Sequence, residues 1–453
     1  MPTIAYNIKD TPVRFHWFLK NEVQVEKPEK NNGPSKREFD SLELSFKNEK
    51  ERLYNLNGYT YKHTGEYYSP DEKDVGRLVA VVADTGIDHP VNAAISARAV
   101  IASPERIVTD EQVKWCRENS LKDNKNEVRV MCYNILADLY MNLNKPQEEL
   151  FFKYCPKANQ RVFYRTPIFL KQLRDFIDAD VSIIFLQEVD MSRHENFIKP
   201  FLKTMNFSSI ISTKVRQISE GVTVAFDEKK FRSIYSNSFA LTDLAEESDA
   251  NEDVRKILKS SDVSLERFST RPTIVQIVML ESLENGTIFI CANTHLHHNP
   301  LDEHIKALQA LVCARKVMEV YKEKKNEEPT KNFRVLFAGD FNSTPDGPVF
   351  PLFSNGFLSK EDRHWNCDVD IVSDDLKIEG KLDCLTGTPE YTNFTADSQK
   401  EGFVGCLDYI WGIDVDAVRV CPMPPHETVI EYIGLPSVHS PSDHLPIICD
   451  IKL

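Results

Sequence analysis

Beyond residue 125 the chain repeatedly joins an apolar run of strand length to a polar group able to ligate, donate or accept. Residues 128–132 lead to Asn134, and residues 181–186 lead to Gln187 and Glu188. Residues 287–292 lead to Asn293, Thr294 and His295, and residues 335–338 lead through Gly339 to Asp340 and Asn342. Asp408 stands inside the run L-D-Y-I-W, and Ser442, Asp443 and His444 precede residues 445–449. Runs this short and continuous match buried strands. Residues 221–226 and 273–280 read the same way. Between them lie segments with apolar positions at helical spacing: 165–177, through Ile168, Leu170, Leu173 and Phe176, and 304–321. Strands that are apolar throughout need cover on both faces, so the alternation points to an α/β fold. In such folds sites form beyond the carboxyl ends of strands, which makes these polar ends candidates to converge on one cleft.

The stretch 334–345, R-V-L-F-A-G-D-F-N-S-T-P, carries the pattern in its fullest form. Gly339 lets the backbone turn at the end of the run, and Ser343, Thr344 and Pro345 stop the strand. Residues two apart on extended chain point to the same side. Asp340 and Asn342 are therefore expected to reach one small volume.

A length of 453 residues favours two domains, one of them large enough for a sizeable core. Hydrophobic residues at 41% and charged residues at 27% exclude wholesale disorder and fibrous repeats. No apolar run approaches the roughly 18 residues of a membrane span. The ten cysteines form no C-x-x-C pairs, which argues against zinc ribbons and fits a reducing compartment. Asn342 opens an N-S-T sequon, so a secretory route would risk a glycan on this residue. The first thirty residues include Asp10, Glu22 and Glu26 and are neither a signal peptide nor an Arg-rich transit peptide. A cytosolic chain and a chain lacking its presequence both fit. The net charge of -14 counts against broad nucleic-acid affinity. It leaves room for a cleft in which carboxylates hold a divalent cation and a short polynucleotide.

Residues 1–103 read as a small β-rich domain of sandwich type, with apolar patches at 15–19 and 77–83 and a long loop at 21–40. Tyr67 and Tyr68 are core or surface aromatics on this reading. Residues 104–127 form a linker containing a helix over 109–119, with Thr109 or Asp110 as its N-cap. The chemistry then falls in 128–453, where 241–262 and 359–382 are charged, irregular surface insertions.

Glu188, Asp340 and Asn342 offer hard oxygen ligands, suited to magnesium or manganese rather than zinc. His295 and His444 lack H-E-x-x-H spacing and cysteine companions, and read instead as donors to a phosphate, with Asp408 or Asp443 orienting the ring. Taken singly, each has an ordinary alternative. Glu188 could be a surface acid after a strand, and Asn134 the cap of a helix over 135–141. One of His295, His297 and His298 could be a solvated ring, and Asp443 a turn acid. Together these alternatives leave the recurrence unexplained.

Y-N-I-L-A-D at 133–138, L-Q-E-V-D at 186–190, N-T-H-L at 293–296, G-D-F-N-S-T-P at 339–345, L-D-Y-I at 407–410 and P-S-D-H-L-P at 441–446 resemble, in order, the endonuclease/exonuclease/phosphatase superfamily. The G-D-F-N-S-T-P block and the C-L-D-Y-I context look like its poly(A)-removing nuclease branch, nearest to the 2′,5′-phosphodiesterases within it. Members also carry a β-rich region ahead of the catalytic domain, to which residues 67–76 look similar. The resemblance implies a four-layer α/β sandwich, two packed mixed sheets flanked by helices, preceded by a small β-sandwich-like domain. It implies that Glu188 holds Mg2+, with Mn2+ as alternative, and that Asp340 and Asn342 complete or support the metal site. Asp340 would orient or deprotonate the attacking water, and Asn134 and Asn342 would position it and the phosphate. His444 would stabilise the transition state under the steering of Asp408, and His295 would touch the scissile phosphate. Asp443 would support or ligate the metal. Phe403 would stack an adenine, with a core phenylalanine as its alternative. Asn393 would join that pocket, with a turn asparagine as its alternative.

The implied activity is a magnesium-dependent 3′-exoribonuclease that releases AMP from 2′,5′-oligoadenylate and 3′,5′-poly(A). Its partner would be RNA with a 3′ oligoadenylate end or 2′,5′-oligoadenylate, with no membrane, on a monomer in the mitochondrial matrix, the cytoplasm being the alternative location. Two other readings compete. A phosphoinositide or sphingomyelin phosphatase of the same superfamily would share the metal core, but a basic amphipathic segment for membranes is missing. A non-catalytic RNA-binding or interaction protein would share the fold, but every matched position keeps the expected residue type.

Overall fold

The computed structural model describes residues 13–22, 42–48, 51–65, 68, 70–84, 92–96, 100, 104–215, 218–270, 273–365, 372, 374–395 and 402–453. The chain divides into two compact units, Met1–Glu105 and Arg106–Leu453.

In the first unit, strands Tyr59–Thr64, Arg14–Lys20, Val79–Asp84 and Asn92–Ile95 pair in that order as one antiparallel sheet, and Leu42–Asn48 pairs with Glu51–Leu56 as a separate hairpin. The two apolar patches expected from the sequence pair directly, Phe15 opposite Ala83 and Leu19 opposite Val79. Strand alternation sends Phe18, Ala80 and Val82 to one face and Trp17, Leu19, Val79 and Val81 to the other, so both faces are buried. Tyr68 is fixed by its hydroxyl, which donates to the buried carboxylate of Asp74 at 2.5 Å. Tyr67 and residues 23–40 of the expected loop 21–40 lie outside the described residues.

The second unit contains two six-stranded mixed sheets. The first runs Ala417–Val420, Ile447–Lys452, Glu127–Asn134, Val181–Asp190, Glu220–Asp227, Phe207–Thr213. The second runs Phe231–Ala240, Ile274–Ser282, Ile288–His295, Phe333–Asp340, Asp408–Ile413, Asp383–Cys384. Each holds one parallel pair near its middle, Glu127–Asn134 with Val181–Asp190 and Ile288–His295 with Phe333–Asp340. Inward residues of both sheets form one cluster, including Val130, Cys132, Ile183, Phe185, Leu336 and Ala338. Their neighbours point outward: Met131 and Tyr133 meet helices Asp110–Glu118 and Val162–Ile177, while Val335 and Phe337 meet helix Glu303–Glu327. The result is the four-layer sandwich, helix on sheet on sheet on helix.

Three segments differ from their expected form. Residues 241–262 are not irregular: helices Leu241–Glu247 and Glu252–Lys259, followed by Asp262–Thr270, cover the second sheet. Val254, Ile257 and Leu258 sit at the i, i+3, i+4 spacing of a buried stripe, masked in composition by charges on the opposite face. Of the described part of 359–382, Trp365, Leu376, Ile378 and Leu382 are buried in the same cluster. The helix expected as a linker spans Asp110–Glu118 and belongs to the second unit, where Val113 and Cys116 are buried. Thr109 precedes it without a side-chain cap bond. Among the described residues no helix is long and apolar enough to cross a membrane.

Candidate functional site

The register of the parallel pairs sets the site. His295, Asp340 and Asp408 lie side by side across three neighbouring strands of the second sheet. In the first sheet Asn134 stands opposite Gln187, next to Glu188. The carboxyl ends of both parallel pairs therefore open on the same volume.

Glu188 is aimed by a bulge. Gly221 pairs with Val189 and Thr223 with Leu186, so Gln187 and Glu188 together oppose Val222 alone. Glu188 takes up the extra residue with φ of 56°, a left-handed conformation uncommon outside glycine. Gly221 makes the neighbouring strand's close approach possible, since a Cβ there would meet Ser212 O at 2.0 Å. Behind Glu188, buried guanidiniums hold the backbone of the next loop. Arg165 Nη1 donates to Leu136 O at 2.8 Å, and Arg193 Nη1 donates to Ile135 O at 3.2 Å. This presents the Ala137 N–H to Glu188 Oε2 at 2.8 Å.

Asn134 ties the two sheets together. Its Nδ2 donates to Glu188 Oε1 at 3.1 Å and to Asp340 Oδ2 at 2.9 Å, and its Oδ1 accepts from Leu136 N at 3.0 Å. Asp340 Oδ1 accepts from Asn342 N at 2.9 Å. Its Oδ2 lies 3.6 Å from His295 Nε2 and 3.6 Å from His444 Nε2. His444 Nδ1 donates to Asp408 Oδ2 at 2.8 Å, and Thr392 Oγ1 donates to the same oxygen at 2.5 Å. Burial opposes charge on the His444 ring, but the carboxylates of Asp408, Asp340 and Asp443 outweigh it and hold the ring well above the ordinary imidazole range.

Burial pushes the Glu188 carboxyl above its usual range, with Asp443 and Glu220 adding to the effect and His295 opposing it. Glu188 and Asp340 thus share one amide donor, and among the described residues the only cationic groups near them are imidazoles, His295 Nε2 at 3.9 Å from Glu188 Oε1 and His295 and His444 at 3.6 Å from Asp340 Oδ2. Two nearly buried hard oxygen donors without a Lys or Arg partner among the described contacts suit a divalent cation. Asp340, Asp408 and His444 offer a second possible set, with ligand atoms within 4.8 Å of one another. Asp408 Oδ2 is already engaged by His444 and Thr392, so we read Asp408 as the residue that orients the ring.

Of the residues singled out in the sequence, Asn134, Glu188, His295, Asp340, Asp408 and His444 are brought together. Asn342 is close, but the same-side argument for it fails. The strand ends at Asp340, Asn342 has φ of 51°, and its Nδ2 donates to Leu296 O at 3.0 Å. Its backbone N–H, rather than its amide, meets Asp340. Asn134 does not cap a helix over 135–141, where one short turn, Asp138–Tyr140, forms. Asp443 Oδ2 accepts from Asn393 Nδ2 at 3.1 Å, and Asn393 also bridges to His444 through the backbone. Phe403 is 37% exposed on the hairpin of Asn393–Thr395 with Phe403–Gly405. Its ring lies over Gly405, where a Cβ would meet it at 2.7 Å.

Sequence reasoning missed Glu220, Lys214 and Thr392. Glu220 is fully buried, with Oε2 on Lys214 Nζ at 2.8 Å and on the Tyr140 hydroxyl at 3.0 Å, and Oε1 3.8 Å from His295 Nδ1. Burial works against its charge, yet contact with His295 and Lys214 holds it at about 2. Its one sequence signal was its place immediately before the buried run 221–226. Thr392 adjoins Asn393, and nothing local distinguished it. Lys214 gave no signal.

A model of the Endonuclease/Exonuclease/phosphatase family matches residues 133–444. The 2',5'-phosphodiesterase 12 of Bos taurus is 28% identical over 394 residues, 85% of this chain and 61% of that protein. That of Homo sapiens is 30% identical over 331 residues, covering 72% and 51%. The CCR4-Not complex 3'-5'-exoribonuclease subunit Ccr4 of Candida albicans is 24% identical over 351 residues, covering 73% and 42%. The chain thus spans less than two thirds of the length of these relatives. Among solved structures, that of ANGEL2, a 2',3'-cyclic phosphatase, in complex with adenosine-2',3'-vanadate has a TM-score of 0.56 at 20% identity, covering 73% of this chain and 96% of that one. The likeness shows a shared fold.

Proposed function

The chain belongs to the endonuclease/exonuclease/phosphatase family, and from that premise we propose that it is a magnesium-dependent phosphodiesterase. It removes 3′-terminal nucleotides as AMP from oligoadenylate, both 2′,5′-linked and 3′,5′-linked. The observation that carries this reading is Asp340 Oδ2, which faces Asn134, His295 and His444 from three directions with Glu188 across the shared amide.

On this reading Glu188 and Asp340 hold Mg2+ or Mn2+, with Asn342 supporting Asp340 through its backbone. The cation, when bound, supplies positive charge to the phosphodiester and its leaving oxygen. Asp340 orients the attacking water and takes its proton, while Asn134 fixes the carboxylate and the phosphate. His444, protonated under the influence of Asp408, donates from Nε2 to a phosphoryl oxygen as charge develops on it. His295 binds the scissile phosphate, Phe403 stacks the terminal adenine, and Asn393 and Asp443 brace His444. We assign the protein's substrate as RNA with a 3′ oligoadenylate end or 2′,5′-oligoadenylate, acting as a monomer in the mitochondrial matrix. Cell fractionation against a matrix marker tests the location.

Purified protein with magnesium should release AMP from poly(A) and from 2′,5′-linked triadenylate, lose that activity with EDTA and regain it with added metal. Headgroup release from phosphoinositide or sphingomyelin, without AMP release, would favour the lipid phosphatase. A second expectation concerns Glu220, whose contacts make it a positioning residue for His295. Glu220→Gln keeps the shape but removes the charge shared with Lys214. It should lower kcat roughly 10–100-fold with little change in KM, the size typical of lost supporting partners. Steady-state kinetics check this, and an unchanged kcat would remove Glu220 from the account.

A further inference from the structure

We infer that bases upstream of the nucleotide being removed are bound in a second cleft, with Phe151 as their stacking platform. This rests on the proposed action on oligonucleotides. The cleft, about 480 Å³, lies between the loop 145–154 and the end of the Phe403 strand pair farther from His444, and Phe151, Tyr154, Thr395 and Gly402 help to line it.

Its position follows from the hairpin. Asn393 and Thr395 lie on the same face of one strand, and Thr395 pairs with Phe403 on the other. Asn393 sits at His444, and Thr395 is two residues further, about 7 Å along the strand. The hairpin therefore runs from the reaction centre to the cleft wall, where Thr395 stands opposite Phe403 and Gly402 adjoins Phe403. A chain whose terminal base lies on Phe403 would next meet this wall.

Phe151 is 75% exposed, which by itself means little, because isolated surface hydrophobics are common. Its setting is what counts. The ring stands edge-on against Phe152 at 4.8 Å, and Phe152 is buried. Tyr154 is tied down by its hydroxyl, which donates to Leu435 O. An exposed aromatic held on a fixed support loses little entropy when a base stacks on it. Glu148 and Glu149 balance Lys145 and Lys153 around the cleft, so stacking rather than phosphate attraction has to supply the binding. Binding here should consequently depend weakly on salt, unlike a site built on lysine–phosphate contacts.

The test uses the whole chain and 3′,5′-linked adenylates two and six residues long. Phe151→Ala should reduce the preference in kcat/KM for the hexamer over the dimer by about tenfold, the scale of one lost base stack. Phe151→Trp should keep it, and Phe163→Ala, a 70% exposed ring that does not line the cleft, should leave it at the wild-type value. Anisotropy of labelled hexa-adenylate in EDTA reads the same loss without turnover. Unchanged hexamer binding and unchanged length preference in Phe151→Ala overturn the inference while the catalytic reading stands. Phe151-dependent binding without AMP release from either adenylate supports the cleft and overturns the catalytic reading. A loss that scales with salt in the manner of phosphate contacts also overturns the stacking role.

Discussion

Replacing Asp340 with asparagine should lower AMP release from oligoadenylate by roughly three orders of magnitude or more, while the thermal midpoint holds or rises. The two oxygens of Asp340 serve different partners, Oδ1 on Asn342 and Oδ2 toward Asn134, His295 and His444. Asparagine would put either an amide NH2 against the Asn134 donor or a neutral oxygen where a carboxylate is needed. Cation binding and proton acceptance would fail together, and the raised basicity of His444, which Asp408 chiefly sustains, would weaken because Asp340 contributes to that rise. Stability should move the other way. Glu188, Asp340 and Asp408 crowd one region with the half-buried Asp443 beside them, and each uncompensated carboxylate there costs folding free energy. A readout independent of turnover is the rise in thermal midpoint on adding magnesium, expected in wild type and lost in Asp340→Asn, since a ligand stabilises only the state that binds it. Turnover within tenfold of wild type would end the proposal.

How much of this could be read in the chain depended on how local each cause is. The strand runs and their polar ends were legible because burial on both faces writes itself into uninterrupted apolar sequence, as at 335–338 and 181–186. That His295 would stand beside Asp340, and Asp408 on its other side, is a matter of register between strands far apart in sequence. The direction of Glu188 was illegible for the same reason. It comes from a bulge that exists only because Gly221 and Thr223, two residues apart, pair with Val189 and Leu186, three residues apart on the facing strand. Asn342 shows the converse error. A spacing of two implies a shared face only while the chain is extended, and the chain leaves that conformation one residue after Asp340.

Glu220 and Lys214 form their pair between a strand and the loop before it, so their role appears only once His295 is folded over them. The helices between 241 and 270 were hidden because their apolar stripe is narrow and the charges around it dominate composition. Asn134, by contrast, was found as a strand-end amide, and its work in joining Glu188 to Asp340 needed the second sheet to become visible.

The opposite end of the Asn134 strand should give the largest effect on stability and almost none on chemistry. Arg129 is fully buried and stands directly opposite Asp450, with Nε on Oδ1 at 2.7 Å and Nη2 on Oδ2 at 3.0 Å. Its remaining N–H groups donate to Cys116 O and Ala179 O at 2.7 Å each and to Asn119 O at 2.6 Å. One guanidinium thus joins the end of helix Asp110–Glu118, the turn after helix Val162–Ile177 and the strand Ile447–Lys452. Arg129→Ala would strand three carbonyls and leave Asp450, itself fully buried, with Arg419 alone at 3.0 Å. Breaking a buried pair from one side costs about 3–5 kcal/mol. For a unit of this size the thermal midpoint should fall by on the order of 10 °C. Catalysis in the protein that remains folded should stay within about twofold of wild type, because five residues of strand, about 17 Å, separate Arg129 from Asn134. Replacing both partners, Arg129→Met with Asp450→Leu, should recover much of the lost stability, since the unpaired buried charge goes with them. Scanning calorimetry and AMP release on the same samples separate the two ends of the strand. A kcat that falls in proportion to the midpoint would show that the Arg129 cluster and the Asp340 cluster are one cooperative device.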